Sequence, residues 1–450
     1  MMFEPALVLD LGADQCRAGC ATPQPQPPPT HPQPIPLLFS FPSPAPRSCR
    51  TSAPGGGGHL TLVPPWFLAP TVGRSPASNE RPTCVFHSQV TKYRLKDATA
   101  PSRYVGRYSH EPELAAQIDA LKSSQKPLHQ KGAVCEFGVL EAVLDRIFCE
   151  PACCREGAPA LVTEALGNPL AARKLTAEVL LETYGVPAVQ FCHADACAYG
   201  YNALVGGSGG AGASAGTAPP RSALLVGVGH GHCSVLPVVG GRVLFDQGCR
   251  VPVGGQHCTK TVQHFAYLGR LPSRLFVPAA AEAFKERFCG FAEAGLPGGP
   301  LPPDLAGLAG LDHIRSVCGE ALFSPSLLGH KHAGLGECVG RVWGQLGEDE
   351  RRAIQEGGLF LTGNGSRLHG FADRLQAALA PELPLGSPPI PVTLAGDPGL
   401  DAWSGARVMS EWIFEDEALY ISRDQLAECG AEHLLARESA LLRIHDLIPA

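Results

Sequence analysis

Short apolar runs along the chain alternate with longer segments in which apolar residues recur at helical spacing. The run from Ala6 to Leu9 is typical of a buried strand. In GAVCEFGVLEAVLDRIF, residues 132–148, apolar residues recur every three or four positions, which predicts an amphipathic helix. Strand–loop–helix units of this kind repeat through the sequence. The pattern therefore predicts an α/β protein with two related lobes.

Three further segments carry helix signals. NPLAARKLTAEVLLETYG has Asn168 as a candidate N-cap, Pro169 in the first turn and Gly185 at the end. A second helix is predicted from about Thr259, and a third over AAAEAFKERFCGFAEAG, residues 279–295. We expect these helices to cover the predicted strands, as the outer layers of an α/β protein do.

Glycine-rich turns lie at three points of this pattern. Two belong to strand–turn–strand hairpins, over 7–17 and 224–238, and the third is a strand-to-helix turn at 362–366. Backbone N–H groups of such turns can point at phosphate oxygens. Each turn taken alone is more typical of an ordinary hairpin or a steric device. Only their convergence on one cleft would indicate a nucleotide-sized site.

Charged residues near these turns add candidate ligands. Asp10 could order waters around a divalent cation, and Arg17 could reach a phosphate, although a plain hairpin with a surface arginine is the simpler interpretation. Lys285 and Glu286 lie together on a predicted helix, where a solvated face is again simpler. The second hairpin, LLVGVGHGHCSVLPV, has no acidic or hydroxyl side chain in its turn. It therefore lacks the group that a phosphate-and-metal site would be expected to have.

The composition interrupts the pattern at two places. Residues 21–80 are rich in proline and glycine with few charges, so they cannot bury enough apolar surface to fold and are interpreted as a disordered insert. Residues 206–221 are interpreted as a glycine-rich linker.

The formal net charge of −6 over 450 residues argues against a broadly basic nucleic-acid surface. No apolar stretch of the sequence is long enough to span a membrane.

The cysteines and histidines offer no clear metal or catalytic site. The 17 cysteines are scattered and odd in number, which is typical of reduced thiols in a cytosolic or nuclear protein. Cys149, Cys153 and Cys154 form the densest group but lack a second pair at zinc spacing. His230 and His232 could hold a metal, but the sequence shows no third ligand. With no Walker-type, GxSxG or HExxH motif, the sequence predicts no catalytic residue and no metal site.

Taken in order, these motifs resemble the actin family. LVLDLGADQCRAGCA is similar to the family's first phosphate hairpin, and LVTEALGNPLAARKLTAEVLLETYGVPAV is similar to its TEA…NP…R segment. The remaining similar segments are GAVCEFGVLEAVLDRIF, FKERFC, EALFSPSLLG and LFLTGNGSRLHGFADRL. The resemblance covers residues 5–20 and 81–440.

The family resemblance implies a two-lobed α/β fold of duplicated ribonuclease-H-like domains with a nucleotide cleft between the lobes. It implies a first lobe at 1–20 and 81–205, with 408–450 returning to it, and a second lobe at 222–407. It also implies a set of nucleotide-binding positions. These are Asp10, Gly12, Arg17, Gly229, Gly231, Lys285, Glu286, Gly363 and Asn364.

Several positions depart from the family's pattern. Gly227 and His230 stand where the family has two aspartates that help hold the metal's water shell and the attacking water. Ala194 stands at the position of a water-orienting glutamine, and the adjacent Asp195 is expected to point elsewhere on its helix. Hydrolysis needs a positioned water and stabilisation of the leaving phosphate. The resemblance therefore implies at most slow turnover, with ATP or ADP and Mg²⁺ held structurally rather than hydrolysed.

Within the family, AGDPGLDAWSGAR, CRVPVGGQ and ISRDQLAECGAEHLLARE most resemble a nuclear actin-related subunit of the INO-eighty chromatin-remodelling complex. This implies a non-catalytic scaffold in the nucleus that supports nucleosome remodelling, transcription regulation and DNA repair. The implied partners are a motor ATPase, a small zinc-finger-type subunit and, through the complex, the nucleosome. Such a member carries a long charged insertion where this chain has the short Pro/Gly-rich segment 290–311.

Two other interpretations stay open. One is an ATP-binding actin-like protein with a weak ATPase activity or a filament-forming role. The other is a sugar-kinase or chaperone-type relative, which the segments LDAWSGAR and ISRDQLAECG argue against.

Overall fold

The computed structural model of the chain describes residues 6–20, 81–93, 102–106, 123–130, 133–150, 157–206, 222–269, 271–292, 295–298, 300–384, 386–413 and 420–430. They all belong to one unit of the chain. The predicted insert at 21–80 and residues 207–221 of the predicted linker lie outside the described residues, as do Cys153 and Cys154.

The described residues form seventeen strands and eleven helices. The strands are β1 (Leu7–Leu11), β2 (Gln15–Cys20), β3 (Cys84–His87), β4 (Gln89–Tyr93), β5 (Ser102–Val105), β6 (Ser124–Pro127), β7 (His129–Gln130), β8 (Ala133–Val134), β9 (Ala160–Glu164), β10 (Ala188–His193), β11 (Ala223–Val228), β12 (Cys233–Val239), β13 (Arg242–Val243), β14 (Cys249–Val251), β15 (Leu359–Thr362), β16 (Val392–Leu394) and β17 (Ile421–Ser422). The helices are α1 (Phe137–Phe148), α2 (Leu170–Glu178), α3 (Ala194–Gly206), α4 (Gly255–Leu268), α5 (Pro278–Phe288), α6 (Leu311–Val317), α7 (Leu335–Gln345), α8 (Glu348–Gly357), α9 (Phe371–Leu379), α10 (Asp401–Ile413) and α11 (Arg423–Cys429).

Two six-stranded sheets form the framework of the two lobes. The first has the order β17-β10-β9-β1-β2-β3, and the second has the order β13-β12-β11-β15-β16 with β14 beside β12. In each sheet, the first strand of an antiparallel hairpin also pairs with a parallel strand: β1 with β2 and β9, and β11 with β12 and β15. The repetition confirms the predicted α/β fold with two related lobes.

Helix α1 buries the apolar face that its sequence predicts. The buried side chains are Val139, Leu140, Val143, Leu144 and Ile147. They share one core with Leu9 of strand β1. The hydrophobic effect therefore fixes this helix against the first sheet.

The start of helix α2 differs from the prediction. Pro169 is the N-cap residue, and no side chain caps the helix. The Asn168 amide instead donates from Nδ2 to Glu164 Oε2 at 2.9 Å. The predicted Asn168 cap is therefore wrong, because the carboxylate competes for that side chain. Gly185 ends the segment as predicted, with a φ of +66° that glycine adopts without strain.

Two helix boundaries are set by contacts distant in sequence. Helix α4 begins at Gly255 rather than near Thr259, because the Gly255 and Gln256 N–H groups donate to carbonyl oxygens of the second hairpin turn. Helix α5 ends at Phe288 rather than at residue 295. Its next residues turn away because the Gly290 N–H donates to the Arg315 carbonyl oxygen at 3.0 Å.

Helices α3 and α10 pack against each other between the sheets. Trp403 of α10 donates from Nε1 to the Val8 carbonyl oxygen at 3.3 Å, so α10 covers the first sheet on both sides of the predicted 407/408 boundary. Tyr199 of α3 meets Phe360 of the second sheet edge-on, with ring centroids 5.1 Å apart. Helix α3 therefore contributes to the cores of both lobes.

Among the described residues, every helix is too short or too polar to cross a membrane. No disulfide joins the cysteines of this part of the chain.

Candidate functional site between the two hairpins

The first hairpin uses its charged side chains internally. Asp10 is buried, and its Oδ2 accepts a hydrogen bond from Arg17 Nη1 at 2.9 Å while its Oδ1 accepts one from Thr163 Oγ1 at 2.6 Å. Arg17 also donates from Nη2 to Gln15 Oε1 at 3.0 Å. Gly12 lies in the turn, where a Cβ would come within 2.6 Å of the Gln15 carbonyl oxygen. Asp10 and Arg17 therefore neutralise each other, and the guanidinium does not extend toward a ligand.

The second hairpin turn is closed by its own backbone. The Gly229 N–H donates to the His232 carbonyl oxygen at 3.0 Å. The carbonyl oxygens of Gly229 and His230 accept from the N–H groups that begin α4, at 2.9 and 2.8 Å. Gly231 is buried within the turn. The Gly229 N–H is thus engaged in the protein instead of being presented to a phosphate.

The third glycine-rich turn packs on the second hairpin. Gly363 has a φ of +79°, and a Cβ there would come within 2.5 Å of the Val228 carbonyl oxygen. Only glycine allows this approach without strain. Asn364 is exposed, and its amide lies against Gly399. Gly363 therefore joins the site region, whereas the Asn364 side chain contacts a different loop.

Lys285 and Glu286 diverge because neighbouring residues on a helix point about 100° apart. Lys285 is buried, and its Nζ donates to Thr259 Oγ1 at 3.2 Å and to the Gly255 carbonyl oxygen at 3.4 Å. Glu286 is exposed. Glu282, one turn earlier, shares the face of Lys285, with Oε1 4.0 Å from Nζ. Lys285 therefore belongs to the site region, and its acidic neighbour there is Glu282.

The expectation that Asp195 points elsewhere is wrong. Asp195 lies in the first turn of α3, and its Oδ2 accepts a short hydrogen bond from Ser234 Oγ of the second hairpin. A Cβ on Gly227 would overlap Asp195 Oδ1, so the glycine leaves the space that this carboxylate fills. Burial raises the pKa of Asp195, and the Ser234 hydrogen bond opposes that rise. A carboxylate therefore lies beside the second hairpin although the hairpin itself has none.

A cavity of about 80 Å³ separates the first hairpin from the second turn. Its lining includes Asp10, Gly12, His129, Thr163, Asp195 and His232. Burial lowers the pKa of His129 to about 3 and that of His232 to about 4, so both rings are neutral at pH 7. Pockets that hold small ligands measure roughly 300–1,000 Å³. This cavity is therefore of a size for water molecules.

Three side chains from three elements come together between the hairpin turns. They are Asp14 of the first turn, His230 of the second turn and Glu282 of α5. His230 Nδ1 lies 3.9 Å from Asp14 Oδ1 and 4.0 Å from Glu282 Oε1. His87 Nδ1 lies 3.2 Å from the same Asp14 oxygen. The sequence pointed only to His230. Asp14 follows Gly12 by two residues and Glu282 precedes Lys285 by one helical turn, but only the folded lobes bring them together.

The predicted nucleotide positions fit a hydrolysable Mg²⁺–nucleotide poorly. The Arg17 guanidinium and the Gly229 N–H already bond within the protein. Glu286 and Asn364 are exposed. The gap between the two turns holds the Asp14–His230–Glu282 group. The functional groups around these turns are thus engaged with one another and with the protein backbone.

The two related lobes, each with a hairpin beside parallel strands, form an actin-like α/β fold. The family model described as Actin matches residues 76–272, which is less than half of this chain.

The similarity of this chain to individual known proteins is modest. Actin-related protein 5 of Arabidopsis thaliana is 28% identical over 217 residues, covering 47% of this chain and 28% of the relative. Human actin-related protein 5 is 32% identical over 125 residues, covering 28% of this chain and 20% of the relative. Centractin of Saccharomyces cerevisiae is 28% identical over 270 residues, covering 56% of this chain and 65% of the relative. The chain thus spans less than two thirds of the length of each of these relatives.

Proposed function

We propose that this protein is a non-catalytic actin-related scaffold subunit of a nuclear ATP-dependent chromatin-remodelling complex. The similarity to two actin-related protein 5 sequences supports this choice within the actin family. In such a complex, a separate motor subunit hydrolyses ATP, and the actin fold supplies docking surfaces.

The second hairpin turn is the observation that carries the proposal. Phosphoryl transfer requires donors directed at the phosphates, a held cation and an oriented water. Here the Gly229 N–H bonds within the turn, and His230 stands opposite Asp14 across the gap. Gly227 offers no side chain at all. These features support structural use of the cleft, in which ATP or ADP with Mg²⁺ would at most be held without being turned over.

Affinity purification of the tagged full-length chain from nuclear extract, followed by mass spectrometry, tests the scaffold role. We expect the motor ATPase of a remodelling complex and its associated subunits to co-purify. A parallel extract depleted of ATP with apyrase is the control, and it should give the same partners because a scaffold does not need turnover. Recovery of no remodelling subunit in either extract would contradict the proposal.

Asp195 supports a second candidate function, a weak ATPase. Its carboxylate contacts Ser234 and fills the space above Gly227, so it could orient a water in the adjoining cavity. An ATPase of this kind would lose its activity when that carboxylate is removed.

Replacement Asp195→Asn distinguishes the two functions. For a scaffold, ATP turnover should stay at background before and after the change, and the unfolding midpoint should rise at pH 7. The rise is expected because burial raises the pKa of Asp195, so the ionised carboxylate costs folded stability. The gain should disappear as the pH falls through that raised pKa toward the ordinary carboxyl value of about 4. Thermal unfolding at pH 7 and pH 4, with phosphate release in parallel, measures both. Turnover that Asp195→Asn abolishes would establish the ATPase instead.

A further inference from the structure

We propose that Asp14, His230 and Glu282 together bind one divalent transition-metal ion directly and so join the two hairpin turns. The set offers one imidazole nitrogen and two carboxylate oxygens, which suits Mn²⁺ or Zn²⁺. It differs from a cation carried by a nucleotide because all three ligands come from the protein. The proposal does not depend on the scaffold role.

The distances lie close to those of a coordination shell. All three ligand atoms lie within 4.8 Å of one another, and two of the separations are 3.9 and 4.0 Å. A tetrahedral ion with bonds of about 2.0 Å holds its ligand atoms about 3.3 Å apart. Side-chain adjustments of up to about 1 Å would therefore close the shell. The three side chains are 29%, 26% and 15% exposed, which leaves one side open to water and to entry of the ion.

Each ligand stands on a supported element. His87 Nδ1 lies 3.2 Å from Asp14 Oδ1, which is the kind of outer contact that orients a ligating carboxylate. The His230 backbone is held by the Gln256 N–H at 2.8 Å. Glu282 lies on helix α5. Sites built on rigid elements keep their geometry when a ligand arrives.

The local charge also favours a dication. Asp14 and Glu282 supply two negative charges, and Lys285 Nζ, 4.0 Å from Glu282 Oε1, offsets one of them. The histidine adds no charge when it ligates as neutral imidazole. Lys285 lowers the affinity of the site for a cation, but one net negative charge remains, and a negative charge attracts a cation. The alternative is an ion pair in which protonated His230 contacts both carboxylates without any metal.

Titration of the nucleotide-free, full-length protein with Mn²⁺, monitored by the paramagnetic resonance signal of free Mn²⁺, tests the site. Mn²⁺ is the probe because carboxylate and imidazole ligands suit it, whereas the chain's thiols favour softer ions. We expect one equivalent to bind and the unfolding midpoint to rise with Mn²⁺ concentration. His230→Ala and Glu282→Gln should each weaken binding by at least about 100-fold, since loss of a ligand exceeds the effect of losing an outer partner. His264→Ala, at an exposed position of α4, should bind as the unmodified protein does.

Glu282→Gln keeps nearly the same shape, so it reports on the site even if His230→Ala fails to fold. Circular dichroism in chelator verifies the fold of each variant. Equal binding by all variants would place the ion elsewhere and overturn the proposal. Binding that requires added ATP would assign the ion to the nucleotide. No binding of Mn²⁺ by the unmodified protein would also overturn the proposal and leave the three side chains as a metal-free polar cluster.

Discussion

Replacement of Arg173 by alanine is expected to lower the free energy of unfolding by about 3–5 kcal/mol. Arg173 is buried on α2, and its Nε and Nη2 atoms donate to both carboxylate oxygens of Glu164 at the end of β9. Asn168 donates to the same carboxylate at 2.9 Å. Without the guanidinium, Glu164 would keep a nearly buried charge that has lost this cationic partner. Removal of one partner from such a pair costs far more than the pair itself contributes.

Urea unfolding followed by circular dichroism measures this loss of stability. Two further variants serve as comparisons. Lys174→Ala removes an exposed pair with Glu178 on the same helix, 3.5 Å apart, and should change stability by less than about 0.5 kcal/mol. Arg173→Lys keeps the charge but loses the planar fork, so it should fall between the two. Equal stability of Arg173→Ala and Lys174→Ala would show that the buried pair does not hold the TEA…NP…R segment together.

Replacement of Gly405 by alanine is expected to destabilise the protein by about 1–3 kcal/mol. Gly405 lies on α10 where a Cβ would overlap the carbonyl oxygen of Cys197 on α3. That atom belongs to a helix backbone, so no side-chain rotation can relieve the clash. The two helices would have to separate, and their packing would be lost along the whole contact.

Gly200→Ala on α3 is the matched control for Gly405→Ala. A Cβ on Gly200 meets no atom within 4 Å, so the variant should gain about 0.4–1 kcal/mol from reduced chain entropy. Both changes add one methyl group inside a helix and differ only in what it meets. Thermal unfolding of the two variants should therefore shift in opposite directions. A rise of the unfolding midpoint in Gly405→Ala would show that helix propensity outweighs packing at this contact.

The features of the fold that depend on residues close together in the sequence could be predicted from the sequence. Helix α1 and the two hairpins carry their apolar patterns within a few residues, and the family resemblance supplied their arrangement. The boundaries of α4 and α5 could not be predicted, because they depend on hydrogen bonds to the second hairpin turn and to Arg315. Asn168 fits a helix cap in sequence and is drawn away by a carboxylate that sequence alone does not place beside it.

The candidate site also has a part that the sequence predicts and a part that it does not. Arg17 and Lys285 are visible as charged residues near glycine-rich turns, but their partners depend on the folded structure. The position of the Asp195 side chain could not be predicted from the sequence, because the direction of the first turn of a helix depends on packing between two helices. One signal was available: Asp195 follows a parallel strand at its carboxyl end, where α/β proteins place their site residues. Glu282 could have been paired with Lys285 from helical spacing.

Helix α3 has a consequence for how the chain loses its structure. Cys197 lies in the core beside the first sheet, and two residues later Tyr199 lies in the core of the second. Opening either lobe would expose residues of helix α3 that also support the other lobe, so we expect the unfolding of the two lobes to be coupled. A substitution that loosens the packing of helix α3 is therefore expected to lower the stability of both lobes.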